Sequence, residues 1–393
     1  MPLTPAQRDD RRPIGFGLLG YGFMGKAHSN ALRTIPYIFW PSEARPELVA
    51  IAGRSEANVR EAATRYGYGA YTTDWHDLVE DQRVDVFDNV AADAAHVEPT
   101  LAAIARGKHV VCEKPLASTA ADASRLYEAA NHAGVKHLVC FNYRFFPAVR
   151  LARELVCGGE LGQLHQARFR YSQEWRTDPE APLPSPVGVL NIICCHAVDQ
   201  ARFLCGEIAS VQATISSPVT TPGRRYNEQP ADQDDVVAIL AEMDRGLVAT
   251  IDASLVSPGR RNHLAWEVNG SKGSVAWDLE QPNVLRYYRR GGRTAGFSEI
   301  IACEADHPLA GAWWPSGHVL GWEHGHANML AHFVDAIAND APVEPYGATF
   351  FDGLRAAQVA EAAVEAASSG RRVLVAGPAP VVPASSKKEG ASR

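Results

Sequence analysis

A lysine behind a strand, a histidine inside an apolar helix and a spaced run of glycines are the residues of this chain best suited to chemistry. In KHVVCEKPLA, Glu113, Lys114 and Pro115 follow a strand-like run. Ligands of open α/β sheets bind outside that edge, where a lysine can donate or accept a proton or polarise a carbonyl oxygen. Glu113 can orient it, and Pro115 can fix the turn, by a cis bond among other ways. A lone lysine after a strand is also a common surface residue.

In GLLGYGFMG, Gly20, Gly22 and Gly25 form G-x-G-x-x-G between a strand and a helix. Gly20 permits a tight turn, Gly22 lets backbone approach a pyrophosphate, and Gly25 allows close helix–strand packing. The phosphates would meet unpaired N–H groups at the helix start, beside Phe23 and Met24. A bound nicotinamide's positive ring, together with desolvation, would lower the Lys114 pKa towards neutrality. NAD specificity calls for an acidic residue after the second strand, but that strand ends Ala52-Gly53-Arg54-Ser55. Arg54 and Ser55 suit a 2′-phosphate, so NAD(P) is expected, with NADP(H) favoured over NAD(H). The alternative is an NAD enzyme in which Arg54 is solvated or stacks on adenine.

VGVLNIICCHAVDQARFLCG reads as an apolar helix around His196. Cys194, Cys195 and His196 are consecutive, so a helix points them three ways and they cannot share one tetrahedral ion. Ile192 lies one turn before His196, and Asp199 stands three residues after it. Asp199 could take a ring N–H and leave the other nitrogen for a substrate oxygen; otherwise His196 is a satisfied core residue. Further on, Trp313, Trp314, His318, Trp322, His324 and His326 crowd one stretch. They suit the apolar faces and hydroxyls of a sugar, or else pack core and cap a helix. His324 and His326 flank a glycine without forming H-E-x-x-H, and no metal site is expected.

These residues need a scaffold. From Pro13, strand-like runs (PIGFGLLG, LVAIAG, VDVFDNV, KHVVCE, KHLVCFN) alternate with helical stretches, which implies a doubly wound parallel sheet covered on both faces. After about Arg144 the runs alternate in polarity, and EMDRGL and VNGSKGSV look like hairpin turns. The expected fold is α/β: a Rossmann domain over 13–143, then an α+β domain over 144–375. The second domain carries helices at 188–205, 323–339 and 349–369 and one large, mostly antiparallel, open-faced sheet. Residues 1–12 and 376–393 read as loose tails. A net charge of −7 without a basic block argues against nucleic acid. No signal peptide or membrane span is expected. Seven scattered cysteines favour reduced thiols in a cytoplasm.

With GYGFMGKAH, VVCEKPLA, FNYR and the later H-A-V-D in place, the chain resembles the Gfo/Idh/MocA oxidoreductases over nearly all of 13–372. WEVNGSKGSVAWDLEQPN and HPLAGAWWPSGHVLGWEHGH resemble the branch of levoglucosan dehydrogenase and related sugar dehydrogenases. The resemblance implies hydride transfer at a secondary alcohol of a sugar, aminosugar, cyclitol or glycoside. It makes Lys114 the acid/base and puts Gly20, Gly22 and Gly25 on the pyrophosphate, with His96 and Glu113 among the cofactor contacts. It matches His196 to the histidine of D-x-x-x-H and sets Tyr143 and Arg144 at the pocket border. Asp199, Trp314 and His318 complete the expected substrate contacts.

The chain departs from the pattern near that pocket. Ile192 replaces the aspartate, and Asn191 is one residue, about 100°, off. Without that carboxylate the imidazole should be less basic. APLPSPVGVL is short, and Ala91-Ala92-Asp93 replaces Thr-Pro-Asn. These departures leave two alternatives to net alcohol oxidation. One is a redox-neutral epimerisation, elimination or rearrangement on a tightly held cofactor. The other is a non-catalytic cofactor-binding protein. A homo-oligomer, dimer or tetramer, through the second sheet is expected, partly from the family.

Overall fold

The computed structural model describes residues 9–177, 188–219, 225–226, 229–230, 234–244, 246–291 and 295–377. Most of both expected tails, and residues 181–187 of the short lead-in, lie outside them. The first sheet holds β1 (Arg12–Leu19), β2 (Ala44–Ala52), β3 (Ala70–Thr72), β4 (Val86–Asn89), β5 (His109–Cys112) and β6 (His137–Val139). Between them run α1 (Phe23–Ile38), α2 (Glu56–Tyr66), α3 (Trp75–Glu80), α4 (Val97–Ala105) and α5 (Ala120–Ala133). The strands are parallel in the order β3-β2-β1-β4-β5-β6. That order reverses direction between β1 and β4, which opens a crevice at their carboxyl ends. Both βα turns that the sequence marks for chemistry, after β1 and after β5, lie on that edge.

The rest of the chain adds α6 (Pro147–Cys157), β7 (Leu164–Ser172), a π-helical turn (Leu190–Cys194), α7 (Cys195–Cys205) and β8 (Ile208–Ser216). A small antiparallel ribbon, β9 (Arg225–Tyr226) with β10 (Gln229–Pro230), comes next. Then follow β11 (Val236–Met243), β12 (Val248–Ser254), β13 (His263–Gly270), β14 (Gly273–Asp278), β15 (Val284–Arg289) and β16 (Ser298–Ile301). The chain closes with α8 (Trp322–Ala338), α9 (Phe350–Ser369) and β17 (Val373–Leu374). Nine strands form the second sheet in the order β16-β15-β14-β13-β7-β12-β11-β8-β17. It is antiparallel except where β7 meets β12. Period-2 alternation sets its faces: Val237, Ile239, Ala241 and Met243 of β11 are buried, while Leu240 between them is exposed. The buried face packs against α7 and α9. Among the described residues no helix is long and apolar enough to cross a membrane.

One long-range contact matters for the site. Leu330, Phe333 and Val334 of α8 share a core with Leu32 and Ile35 of α1 and with Ile14 and Phe16 of β1. Burying each such large side chain stabilises by about 1.5–3 kcal/mol. So α8, late in the sequence, is fixed against the first helix, and its N-terminal turn reaches the glycine loop. There Trp322 stacks on Phe23 at 5.2 Å.

Candidate active site

The glycine loop has distinct needs at each glycine. Gly20 holds φ 110, and a Cβ there would lie 2.9 Å from the Val90 carbonyl oxygen. A Cβ on Gly25 would press to 2.5 Å on the Gly20 carbonyl oxygen. Gly22 differs, because a Cβ there meets no protein atom within 4 Å. Packing therefore does not explain this glycine, and the space above it is free for a ligand. Gly22 begins α1 without a side-chain cap and with no acidic residue in the first turn. The first N–H groups and the positive end of the helix dipole are left for an anion. Phe23, 70% exposed, and Met24 flank the same opening. These features fit the pyrophosphate of a dinucleotide.

At the end of β2 the ring of Tyr21 lies over Gly53, where a Cβ would approach it to 2.1 Å. The ring takes the space a side chain would need at that position. Arg54 beside it is exposed. The Ser55 hydroxyl accepts the Asn58 N–H and caps α2.

After β5 the chain turns through Glu113, Lys114 and a cis Pro115. The Lys114 backbone N–H donates to Glu113 Oε2 at 3.0 Å. Glu113 Oε1 lies 3.3 Å from His28 Nε2, close enough for an ion pair but not aligned as a hydrogen bond. His28 Nδ1 in turn meets both Asp88 oxygens at 2.9 and 3.0 Å. Burial alone would lower the His28 pKa, but the Asp88 carboxylate overrides it and pushes it well up. Burial would raise Glu113, and His28 pulls it down to about 2. Lys114 departs from the expected depression. Burial lowers its pKa, but the Cys195 sulfur and the Glu113 carboxylate together raise it. Cys195 is itself pushed up by burial to about 12, so at neutral pH its thiol carries no charge and the charges that hold the lysine up are the Glu113 and Asp93 carboxylates.

The Lys114 ammonium donates to the Ile192 carbonyl oxygen at 2.9 Å. That carbonyl lies in the π-helical turn just before α7, on the element that carries His196. Where the aspartate is missing, a backbone oxygen receives the lysine, and Ile192 lines the cavity. His196 lines the same cavity of about 330 Å³ as Lys114. Its ring is 6% exposed and packs on Tyr143 at 4.7 Å and on Phe141 at 5.7 Å. Burial and then the Lys114 charge push its pKa well down, so the imidazole is neutral.

A polar ladder forms the opposite wall. The Tyr143 and Tyr171 hydroxyls are 3.0 Å apart. The Tyr171 hydroxyl donates to Asn262 Oδ1 at 2.6 Å, and Gln173 Nε2 donates to the same oxygen at 2.7 Å. Sequence reasoning missed Tyr171, Gln173, Asn262 and Asn142, which line the cavity together with Trp322 and His326 of the expected tryptophan–histidine cluster. Tyr171 and Gln173 were signalled by their two-residue spacing in the strand-like HQARFRYSQEW. Asn262 had no signal in the sequence.

Other expected contacts lie elsewhere. Asp199 does not hold His196. Its carboxylate accepts Arg144 Nε at 3.0 Å and Nη2 at 2.5 Å, because Arg144 comes from the neighbouring turn and supplies a full charge. Arg144 is therefore no cavity wall. His96 offers nothing to a cofactor, since Pro115 O lies 2.7 Å from its Nδ1 and Ala91 O 3.1 Å from its Nε2. It braces the lysine turn from behind. Trp314 is 48% exposed, and His318 is exposed with Nδ1 on the Pro315 carbonyl at 2.8 Å. Neither lines the cavity, because the loop before α8 runs outward and only Trp322 and His326 point in. A larger groove, about 750 Å³ between the end of α1 and α8, holds Trp40 and Asp335 but no residue of this site.

Comparison with known proteins agrees with this architecture. Residues 14–141 match the model of an oxidoreductase family with an NAD-binding Rossmann fold, and 149–276 match the GFO/IDH/MocA C-terminal domain. Levoglucosan dehydrogenase of Pseudarthrobacter phenanthrenivorans is 33% identical over 380 residues, covering 90% of this chain and 96% of its own. Inositol 2-dehydrogenase of Rhizobium meliloti is 26% identical, covering 92% of this chain and 99% of its own. The structure of levoglucosan dehydrogenase in complex with NADH and levoglucosan superposes with a TM-score of 0.89 at 33% identity. It covers 93% of this chain and 100% of that one. An oxidoreductase domain protein from Kribbella flavida gives a TM-score of 0.88 at 37% identity over the same shares. The chain belongs to the Gfo/Idh/MocA family and is an oxidoreductase with an NAD-binding Rossmann domain.

Proposed function

We propose that this oxidoreductase interconverts a secondary alcohol and a ketone on a sugar, aminosugar, cyclitol or glycoside. The observation that carries the reading is that Lys114 and His196, from different domains, meet in one cavity beside the open space at Gly22. The relatives named as levoglucosan and inositol dehydrogenases point to the same substrate class. A nicotinamide dinucleotide held at Gly20, Gly22 and Gly25 would supply or take the hydride. Lys114 moves the other proton: it receives the hydroxyl proton on oxidation and returns it to the carbonyl oxygen on reduction. The neutral His196 ring donates to or accepts from the same oxygen and orients it. Tyr171, Gln173 and Asn262 bind the more distant hydroxyls, while Phe23 and Trp322 shield the opening from water.

The Lys114 pKa, raised by Glu113, makes its resting form the ammonium. Reduction then starts from the proton-loaded state. Oxidation needs that proton removed first and should quicken as pH rises into the alkaline range, which a kcat/KM profile in both directions checks. NADP(H) is favoured over NAD(H), supported by Gly53 under the Tyr21 ring and by exposed Arg54 next to Ser55. Screening a sugar and cyclitol panel with both cofactors, followed at 340 nm, tests substrate class and cofactor together. Ile192 in the aspartate's place supports a second reading, a redox-neutral isomerisation on a retained cofactor. Cofactor co-purifying with the protein, and product formed without net change at 340 nm, separate that reading from the first. The outer face of the nine-stranded sheet is the surface through which two or four copies assemble, which light scattering after gel filtration checks.

A further inference from the structure

Behind Lys114 lies a buried constellation of which the hydride-transfer reading uses only the Glu113 charge. His28 comes from α1, Glu113 from the turn after β5 and His326 from α8, and their ligand-bearing atoms lie within 4.8 Å of one another. They are 0%, 5% and 1% exposed. His326 Nδ1 is buried without an aligned hydrogen-bond partner, and His28 Nε2 meets only the Glu113 carboxylate, at 3.3 Å and out of hydrogen-bond line. Such orphans are costly, and a native fold keeps them when something else satisfies them.

The surroundings supply what a metal ligand set needs. Tetrahedral ligands at zinc–nitrogen distances of about 2.0–2.1 Å stand about 3.3 Å apart. His28 Nε2 and Glu113 Oε1 are already 3.3 Å apart. His28 gives its other ring nitrogen to Asp88 at 2.9 Å, the carboxylate–histidine arrangement that fixes the tautomer and orients a metal-binding imidazole. Glu113 uses Oε2 for the Lys114 N–H, while its Oε1 faces the His28 Nε2 proton, so an ion bound between them takes the place of that proton, which is released. With Glu113 as ligand and Asp88 behind His28, two carboxylates balance a divalent charge.

We propose that His28, Glu113 and His326 bind one divalent transition-metal ion of the zinc class, with Asp88 holding His28. Two histidines and a glutamate form a set that leaves a fourth position open. Glu113 and His326 line the cavity, so that position faces the substrate space, where a water or a substrate hydroxyl completes the coordination. The ligands arise from three separate elements, so no spacing in the sequence announces them. Another constellation, His263, Asp278 and Glu280, is half-exposed, and its Glu280 is already paired with Arg260 at 2.8 Å. It serves as the control.

The test is to titrate the metal-stripped full chain with Co²⁺, reading visible d–d absorption, and with Zn²⁺ by calorimetry. One ion per chain is expected, with nitrogen/oxygen-type bands and no thiolate charge-transfer band. His326→Phe should weaken binding at least about tenfold, and Asp88→Asn, which keeps all three ligands, by about 10- to 100-fold. His263→Gln should leave it unchanged. The proposal is overturned by absence of d–d bands and calorimetric binding in the unmutated chain. Thiolate bands, or binding that His326→Phe and Asp88→Asn both leave intact, overturn it equally. Binding is read without turnover, so this result stands apart from the hydride-transfer reading.

Discussion

Two buried charge clusters sit either side of the strand edge after β5 and β6. One runs Asp88, His28, Glu113, Lys114; the other joins Arg144, Asp199, Arg202 and Asp352. Both are deeply buried and both mix acids with bases. The second is closed. Arg144 Nη2 reaches Asp199 at 2.5 Å and Asp352 at 3.0 Å, Arg202 reaches Asp352 at 2.8 Å, and none of these side chains carries an orphaned atom. The first is open: His28 Nε2 meets Glu113 at 3.3 Å without an aligned hydrogen bond, and Lys114 lines a cavity. Burial and charge do not separate a site from a strut here; incomplete satisfaction next to empty space does.

That contrast breaks most visibly at Lys114. Lys114→Ala should lower kcat/KM by about 10²- to 10⁴-fold while the unfolding midpoint moves little. Intact turnover would sink the assignment. Arg144→Met should do the reverse. It strands Asp199, while Arg202 still holds Asp352, and costs about 3–5 kcal/mol in denaturant unfolding, with kcat per folded molecule retained. A catalytic loss at unchanged stability would return Arg144 to the site.

The glycine loop sharpens the same distinction on a smaller scale. Gly22→Ala should fold normally but weaken cofactor binding about tenfold, about 1.4 kcal/mol by calorimetry, because its Cβ enters only ligand space. Gly25→Ala should instead cost about 1–3 kcal/mol of stability, since its Cβ meets the Gly20 carbonyl.

The smallest effect is a pH slope near the closed cluster. His137 Nδ1 accepts the Phe350 N–H at 2.9 Å, and burial pushes its pKa down to about 4. Between about 6.5 and 4 the unfolded chain holds a proton that the fold does not, so stability falls as pH drops through that window, by about 1 kcal/mol per unit. In His137→Gln this share of the slope should vanish from unfolding curves measured against pH.

Parts of this layout were legible without coordinates. The parallel strand order follows from alternating βα runs, and the glycine loop and the Glu-Lys-Pro turn are local motifs at fixed spacings. Four-residue helical spacing put Ile192 on one face with His196, and both line the cavity although Ile192 lies in the π-helical turn before α7. Asp199 was misplaced by the same logic. Three residues put it near His196, but a guanidinium from Arg144 competes for its carboxylate, and a full charge with a forked donor beats a neutral ring. His96 and His318 were misjudged because histidine's residue type does not say whether its nitrogens are already taken.

The sequence by itself determined most of the strands and helices, the glycine loop at the start of α1, and that a lysine follows β5. Each of these depends on neighbours a few residues away. Only the tertiary structure decided that His326 reaches His28 and Glu113, that Asn262 anchors Tyr171 and Gln173, and that the Ile192 carbonyl receives Lys114. Those meetings depend on α8 packing on α1 and on the second sheet closing over the first. Burial of scattered apolar side chains drives that packing, and it carries no local spacing.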